Sequence, residues 1–238
     1  MSTHSTTLAS ASTQYWSITD ASQSGLDITG DISFSAWVKF TTLPSSGSNM
    51  VIASKYGYEN NTRQYGFLII NTSGTYSMRM INSTNGISAT EGNVNFLSAP
   101  TTGVWYHLGW SKSGTTVTTY VGETSQGTAT VAGSQANSTA AFAIGIFVGG
   151  SGGTDSPLNG QVDSALIYSV AISAANMSTN FNTPCTPHTT NLVSQWRFDN
   201  NGNDNTGSNT LTNNNSATFS TDTAFVCGGS NSAFFAFM

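Results

Sequence analysis

The sequence predicts an all-β fold, a two-sheet antiparallel sandwich with one short helix, and three observations carry that prediction. Runs rich in Val, Ile, Thr, Tyr, Phe and Trp alternate with clusters of Gly, Ser and Asn from end to end, the pattern of many short strands. About ten such runs can be read, more than one sheet commonly holds. Aromatic residues make up 11% of the 238 residues and are spread along the chain, enough ring surface to offset the entropy of ordering it. A chain of this length is accommodated by one sandwich domain.

The strands are expected at 14–19, 31–40, 50–55, 65–71, 75–82, 104–112, 115–121, 142–148, 160–169 and 191–198. The second shows the alternation best: Ile32, Phe34, Ala36, Val38 and Phe40 share one face, and Ser33, Ser35, Trp37 and Lys39 the other. The first set is the expected core face. Ser113-Gly114 is a short turn that makes 104–121 the clearest hairpin. The strands at 14–19 and 191–198 are expected in the same sheet region, because Trp196 and the aromatic pair Tyr15-Trp16 all need burial. The single helix is expected over 173–181, with Ser173 as N-cap and Pro184 beyond its end. After Phe198 an Asn-, Gly- and Thr-rich tract reads as a long ordered loop, and the chain closes on the uncharged, ring-rich SAFFAFM.

Charge excludes several classes. Only 7% of residues are charged, and six Lys and Arg stand against eleven Asp and Glu, which leaves no basic patch for nucleic acid. No apolar run reaches the roughly 18 to 20 residues that cross a bilayer, and the start, Met1-Ser2-Thr3-His4, reads as lacking a signal peptide. Cys185 and Cys227 have no metal-binding spacing; they are either a single bridge or two independent thiols.

Four segments in order, ASTQYWSITDAS, GLDITGDISFSAWVKF, GVWYHLGWSKSGTTVTTYVGE and NGQVDSALIYSVAISAANM, resemble the laminin-G-like, pentraxin-related modules of the concanavalin A-like lectin/glucanase superfamily. The resemblance covers about 5–181 and implies a jelly-roll sandwich over 1–184. The remainder, 185–238, becomes a C-terminal extension whose strand at 191–198 completes the sandwich. It also implies packing roles for Trp37, Trp105, Tyr120 and Trp196, and His107, between Tyr106 and Leu108 on an apolar strand, reads as a core or hairpin histidine. Glucanase relatives hold a structural calcium at positions matching Asp163 and Gly30. No other cofactor is expected.

The glucanases of that superfamily cleave with paired carboxylates on one strand, and glycoside hydrolysis needs two such groups. Here Glu59, Glu91 and Glu123 have no acidic neighbour two positions away, so the chain reads as a non-enzyme. For a glycan ligand, the candidate patch is Tyr56, Tyr58, Asn60, Asn61 and Tyr65, taken as a rim loop, with Phe147 beside it. Phe234, Phe235, Phe237 and Met238 form an expected assembly contact, docked on a neighbouring subunit or folded back onto the sandwich. The low charge, the lone module and this tail lead to the expectation of a virion surface or structural protein, such as a bacteriophage decoration or tail-associated protein. Its partners would be other virion proteins or copies of itself. The alternative is a carbohydrate-binding or adhesive module of a secreted or cell-surface protein.

Overall fold

The computed structural model describes residues 3–57, 61–149 and 154–227; Tyr58, Glu59, Asn60, Phe234, Phe235, Phe237 and Met238, singled out in the sequence, lie outside them. In chain order the strands are β1 (Ser5–Leu8), β2 (Tyr15–Ile18), β3 (Ile32–Phe40), β4 (Asn49–Tyr56), β5 (Arg63–Thr72), β6 (Thr75–Asn82) and β7 (Thr90–Asn95). There follow β8 (Trp105–Ser113), β9 (Thr116–Val121), β10 (Thr124–Thr130), β11 (Phe142–Ile144), β12 (Phe147–Val148), β13 (Thr154–Asp155) and β14 (Gly160–Tyr168). The helix α1 (Ala174–Asn182) precedes β15 (Leu192–Trp196), β16 (Thr212–Asn214) and β17 (Thr218–Ser220).

Two antiparallel sheets make the sandwich. One holds eight strands in the order β10-β9-β8-β3-β14-β1-β17, with β15 beside β14; the other holds seven in the order β16-β2-β11-β4-β5-β6-β7. A small β12-β13 ribbon stands apart. Alternation decides what faces inward. Ile32, Phe34, Ala36, Val38 and Phe40 all enter the core, with Phe34 stacked on Phe67 at 5.0 Å between ring centroids and Trp196 on Phe142 at 5.0 Å. Fully burying one such side chain contributes roughly 1.5–3 kcal/mol, so these cross-sheet ring pairs are main contributors to the fold.

The opposite face of β3 is buried as well. Ser33 and Ser35 have no exposed surface and Trp37 has 8%, because α1 and the chain before it lie across this sheet. The Ser33 hydroxyl donates to the Val170 carbonyl and accepts from the Ile172 amide, and Ser111 donates to the Ile172 carbonyl. Met177 of α1 sits so close over Gly109 that a β-carbon there would fall 2.5 Å from its sulfur. Small residues on β3 and β8 thus form the shelf that lets the helix approach. Ser173 caps α1 by accepting from the Asn176 amide.

Strands β1, β7 and β10 are not among those expected from the sequence, and three further features differ from that reading. The strand at 14–19, β2, lies in the seven-stranded sheet, opposite β15; it is β1 that shares an edge of β14 with β15. Trp196 reaches the β2 side through Phe142, which pairs with Ile18. The tract after Phe198 is ordered, as expected, but it is not all loop: it contributes β16 to one sheet and β17 to the other, with Asp204 bridged to Trp196 on the way. The hairpin turn is Gly114-Thr115, one position later than expected, since Ser113 pairs with Thr116.

Candidate functional site

Most of the sequence-derived glycan patch is interior. Tyr65 alternates with Phe67 and Ile69 on β5, so its ring is in the core, and its hydroxyl donates to the Leu26 carbonyl at 2.8 Å. Tyr56 is 3% exposed and packs on Phe147 beneath the β12-β13 ribbon, with the Arg63 guanidinium 5.9 Å from its ring centre. Burial pushes both phenols above their usual range. Neither ring can serve as a sugar platform, and Phe147 is buried with them. Asn61 is exposed at a left-handed turn, φ 57°.

Asp163 and Gly30 do not form one calcium site. Asp163 pairs across to Trp37, seven positions along the strand from Gly30, a separation of roughly 20 Å at strand rise. The Asp163 carboxylate accepts from the Ala224 amide, and the Gly30 carbonyl accepts from Lys112 Nζ and Gln135 Nε2. A carbonyl already held by an ammonium is a poor calcium ligand. Among the described residues no three His, Cys, Asp or Glu side chains converge as a metal cluster would require.

Two lysines, each one residue from the end of its strand, tie the loops at this end of the sandwich. Lys55 Nζ lies 2.7 Å from Asp20 and 2.9 Å from Asp27, and also donates to the Ser138 carbonyl. Lys112 donates to the carbonyls of Gly30 and Gly133; burial lowers its pKa, with Asp31 pulling the other way. Both stand in apolar runs, MVIASK and HLGWSK, and that contrast was the signal in the sequence.

The outer face of the eight-stranded sheet is occupied by α1 and by the C-terminal segment, in which Asp222 receives the Trp105 indole N–H and pairs with Lys39. Phe225 packs on Trp37, and Cys227 is disulfide-bonded to Cys185. Under this cover His107 sits between Trp37 and Phe181. Burial drives its pKa down from 6.5 to about 4, partly opposed by the Gly122 backbone. As pH falls the unfolded chain takes up this proton first, so the stability is complete above about 6.5 and is lost on the way to about 4. We expect unfolding free energy to drop by about 2 kcal/mol from pH 7 to pH 5, a slope that His107→Leu should remove. Denaturant titrations giving the same slope with and without the imidazole would contradict this.

Exposed polar sheet surface lies at the β9-β10 edge of the eight-stranded sheet and at the β7 edge of the seven-stranded one, and the second carries charged side chains. Met78 and Met80 point inward, so Ser77 and Arg79 point out, and β7 presents Glu91, Asn93 and Asn95 beside them. Arg79 Nη1 lies 2.9 Å from Glu91 and its Nε donates to Asn93 Oδ1 at 2.6 Å; Ser77 donates to Asn95 Oδ1 at 2.7 Å. Arg79 is 13% exposed and Glu91 50%, so the guanidinium is a fixed platform and the carboxylate its wet edge. Ile70 and Leu68 on β5 flank the strip. The arrangement offers amide and guanidinium donors next to carboxylate acceptors in a rigid row. Sequence reading missed it because β7, TEGNVN, carries little apolar alternation to announce a strand.

Glu59 lies outside the described residues, and the other two glutamates are each engaged on a different sheet. Glu91 is held by Arg79, and Glu123 accepts from Ser178 and Asn182 of α1, on the other sheet's side.

The Laminin_G_3 family of the concanavalin A-like lectin/glucanases superfamily matches residues 10–178. The chain belongs to that superfamily. Its jelly-roll sandwich is shared with a Bacteroides ovatus protein whose assignment as carbohydrate-binding is provisional, at TM-score 0.65 and 16% identity over 92% of this chain. The chain spans 59% of the length of that protein. A native heptameric SAP-like pentraxin from Limulus polyphemus gives TM-score 0.61 and 13% identity, covering 91% of this chain and 94% of the pentraxin. The sialidase module CBM40 of Ruminococcus gnavus, bound to α2,3-sialyllactose, gives TM-score 0.50 and 11% identity over 66% of this chain and 84% of its own. No curated protein sequence matches.

Proposed function

We propose that this superfamily member is a non-catalytic glycan-binding module that works outside the reducing cytoplasm. The observation that carries the reading is the Arg79–Glu91–Asn93 strip, a prearranged row of donors and acceptors along the exposed β7 edge of the seven-stranded sheet. Sugar hydroxyls donate and accept at once, and a rigid mixed row meets them with little ordering cost. Fold neighbours that include carbohydrate-binding proteins support it. The separation of Glu91 from Glu123 supports the non-catalytic part, since hydrolysis needs two carboxyl groups flanking one bond. The Cys185–Cys227 bridge supports an oxidising setting, which a secreted or cell-surface protein or a virion surface would each provide.

The test is a glycan array followed by calorimetry on the best binder. Arg79→Ala should weaken that binding by about tenfold or more, the worth of a hydrogen bond to a charged group, while melting stays near that of the parent. Retention of full affinity by both Arg79→Ala and Asn93→Ala would remove this strip from consideration.

A further inference from the structure

The chain contains six Lys and Arg in all, and every one is engaged inside the protein. Lys39 pairs with Asp222 and lies 5.5 Å from the Trp105 ring centre. Lys55 is fully buried between Asp20 and Asp27, and Lys112 is committed to two backbone carbonyls. Arg63 donates to the Ile87 carbonyl over the Tyr56 ring, and Arg197 donates to the Cys185 carbonyl. That leaves Arg79, the one cation in the proposed binding strip, already neutralised by Glu91. None of the histidines belongs to the strip: His107 is buried with a pKa of about 4, His188 contacts Asn176 and His4 contacts Asn200.

Recognition of a carboxylate or sulfate on a sugar is strongest through an uncompensated guanidinium or ammonium, above all in a bidentate arrangement. An anionic sugar arriving at Arg79 would have to displace Glu91 and would then sit against that displaced carboxylate. The whole molecule, at a net charge of −5, repels it further at long range. We infer that the strip takes an uncharged glycan, read through hydroxyls alone, and that sialylated, uronate-containing and sulfated glycans are rejected. This rests on the glycan-binding reading above. Charge balance within the strip is what sets the selectivity: with Glu91→Gln, Arg79 loses its counter-charge and the discrimination should relax.

The experiment is binding of the full chain to matched probes, lactose against 3′-sialyllactose and neutral mannan and β-glucan oligosaccharides against alginate and heparin. Measurements at low and at physiological salt separate screened attraction from hydroxyl recognition. Expected is binding confined to the neutral set, nearly independent of salt, with Glu91→Gln gaining about tenfold or more toward the anionic set. Preference of the parent protein for any anionic probe over its neutral counterpart would overturn the inference and leave the glycan-binding reading standing. A parent that binds neutral probes while Glu91→Gln still rejects the anionic set overturns the assignment of selectivity to this charge pair. Absence of binding to every probe in both sets overturns the glycan-binding reading itself, and the inference falls with it.

Discussion

Replacing Lys55 with Met should lower the unfolding free energy by about 3 kcal/mol. The ammonium has no exposed surface and stands between two carboxylates that keep 27% and 34% of theirs. Removing it leaves Asp20 and Asp27 facing each other without a counter-charge and leaves the Ser138 carbonyl without its donor. The loss belongs at the lower end of the range for broken buried pairs, roughly 3–5 kcal/mol, because water can still reach both carboxylates. A second variant separates charge from packing. Adding Asp20→Asn and Asp27→Asn to Lys55→Met removes the stranded charges, so most of the loss should be recovered, as neutral replacements of buried ion pairs often do. Denaturant unfolding at constant m-value is the measurement. A Lys55→Met protein within about 1 kcal/mol of the parent, or a triple variant no better than the single, would refute the clamp.

This clamp illustrates what alternation reveals and what it hides. The core face of β3 could be read outright, since five apolar residues at period 2 leave little choice of side. The same rule applied to β5 places Tyr65 with Phe67 and Ile69, so alternation alone assigns its ring to the core and not to a rim loop. Other features have no local signature. Ser33 and Ser35 look like solvent residues until α1 lands on them, and the landing is a long-range event set by Gly109 and the 168–172 approach. The polar strands β7 and β10 stay strands because they pair at sheet edges and face each other across the sandwich, where Gly92 nearly touches Val131. The candidate strip was illegible for the same reason: Arg79 sits plainly between two inward methionines, but its partners Glu91 and Asn93 belong to a strand that composition does not announce.

Opening the Cys185–Cys227 bridge is expected to have an effect of similar or greater size. The cysteines are 42 positions apart, and closing a loop of that length removes chain entropy from the unfolded state worth about 4 kcal/mol in the chain-entropy account. For a chain of this size that corresponds to a melting point lower by roughly 8 °C. The loop enclosed by the bridge holds β15, β16 and β17, so it fastens the extension that supplies strands to both sheets. Near its end the segment is held by the Ser5 hydroxyl on the Asp222 carbonyl, by the Ala224 amide on Asp163 and by Phe225 on Trp37. Asp222 adds its pairings with Lys39 and the Trp105 indole, but each of these contacts runs through a side chain, so without the covalent tie the 221–227 segment should be the first part to open. Cys185→Ser combined with Cys227→Ser should therefore melt lower, show faster amide exchange at β17 and 221–227, and shift Trp37 emission to longer wavelength as Phe225 leaves. Reductant should bring the parent protein down to the double variant and leave the variant where it is. If reduction moves neither the melting point nor exchange in 221–227, the bridge is not what holds this segment across Trp37 and His107, and the polar contacts of Asp222 and Asp163 suffice.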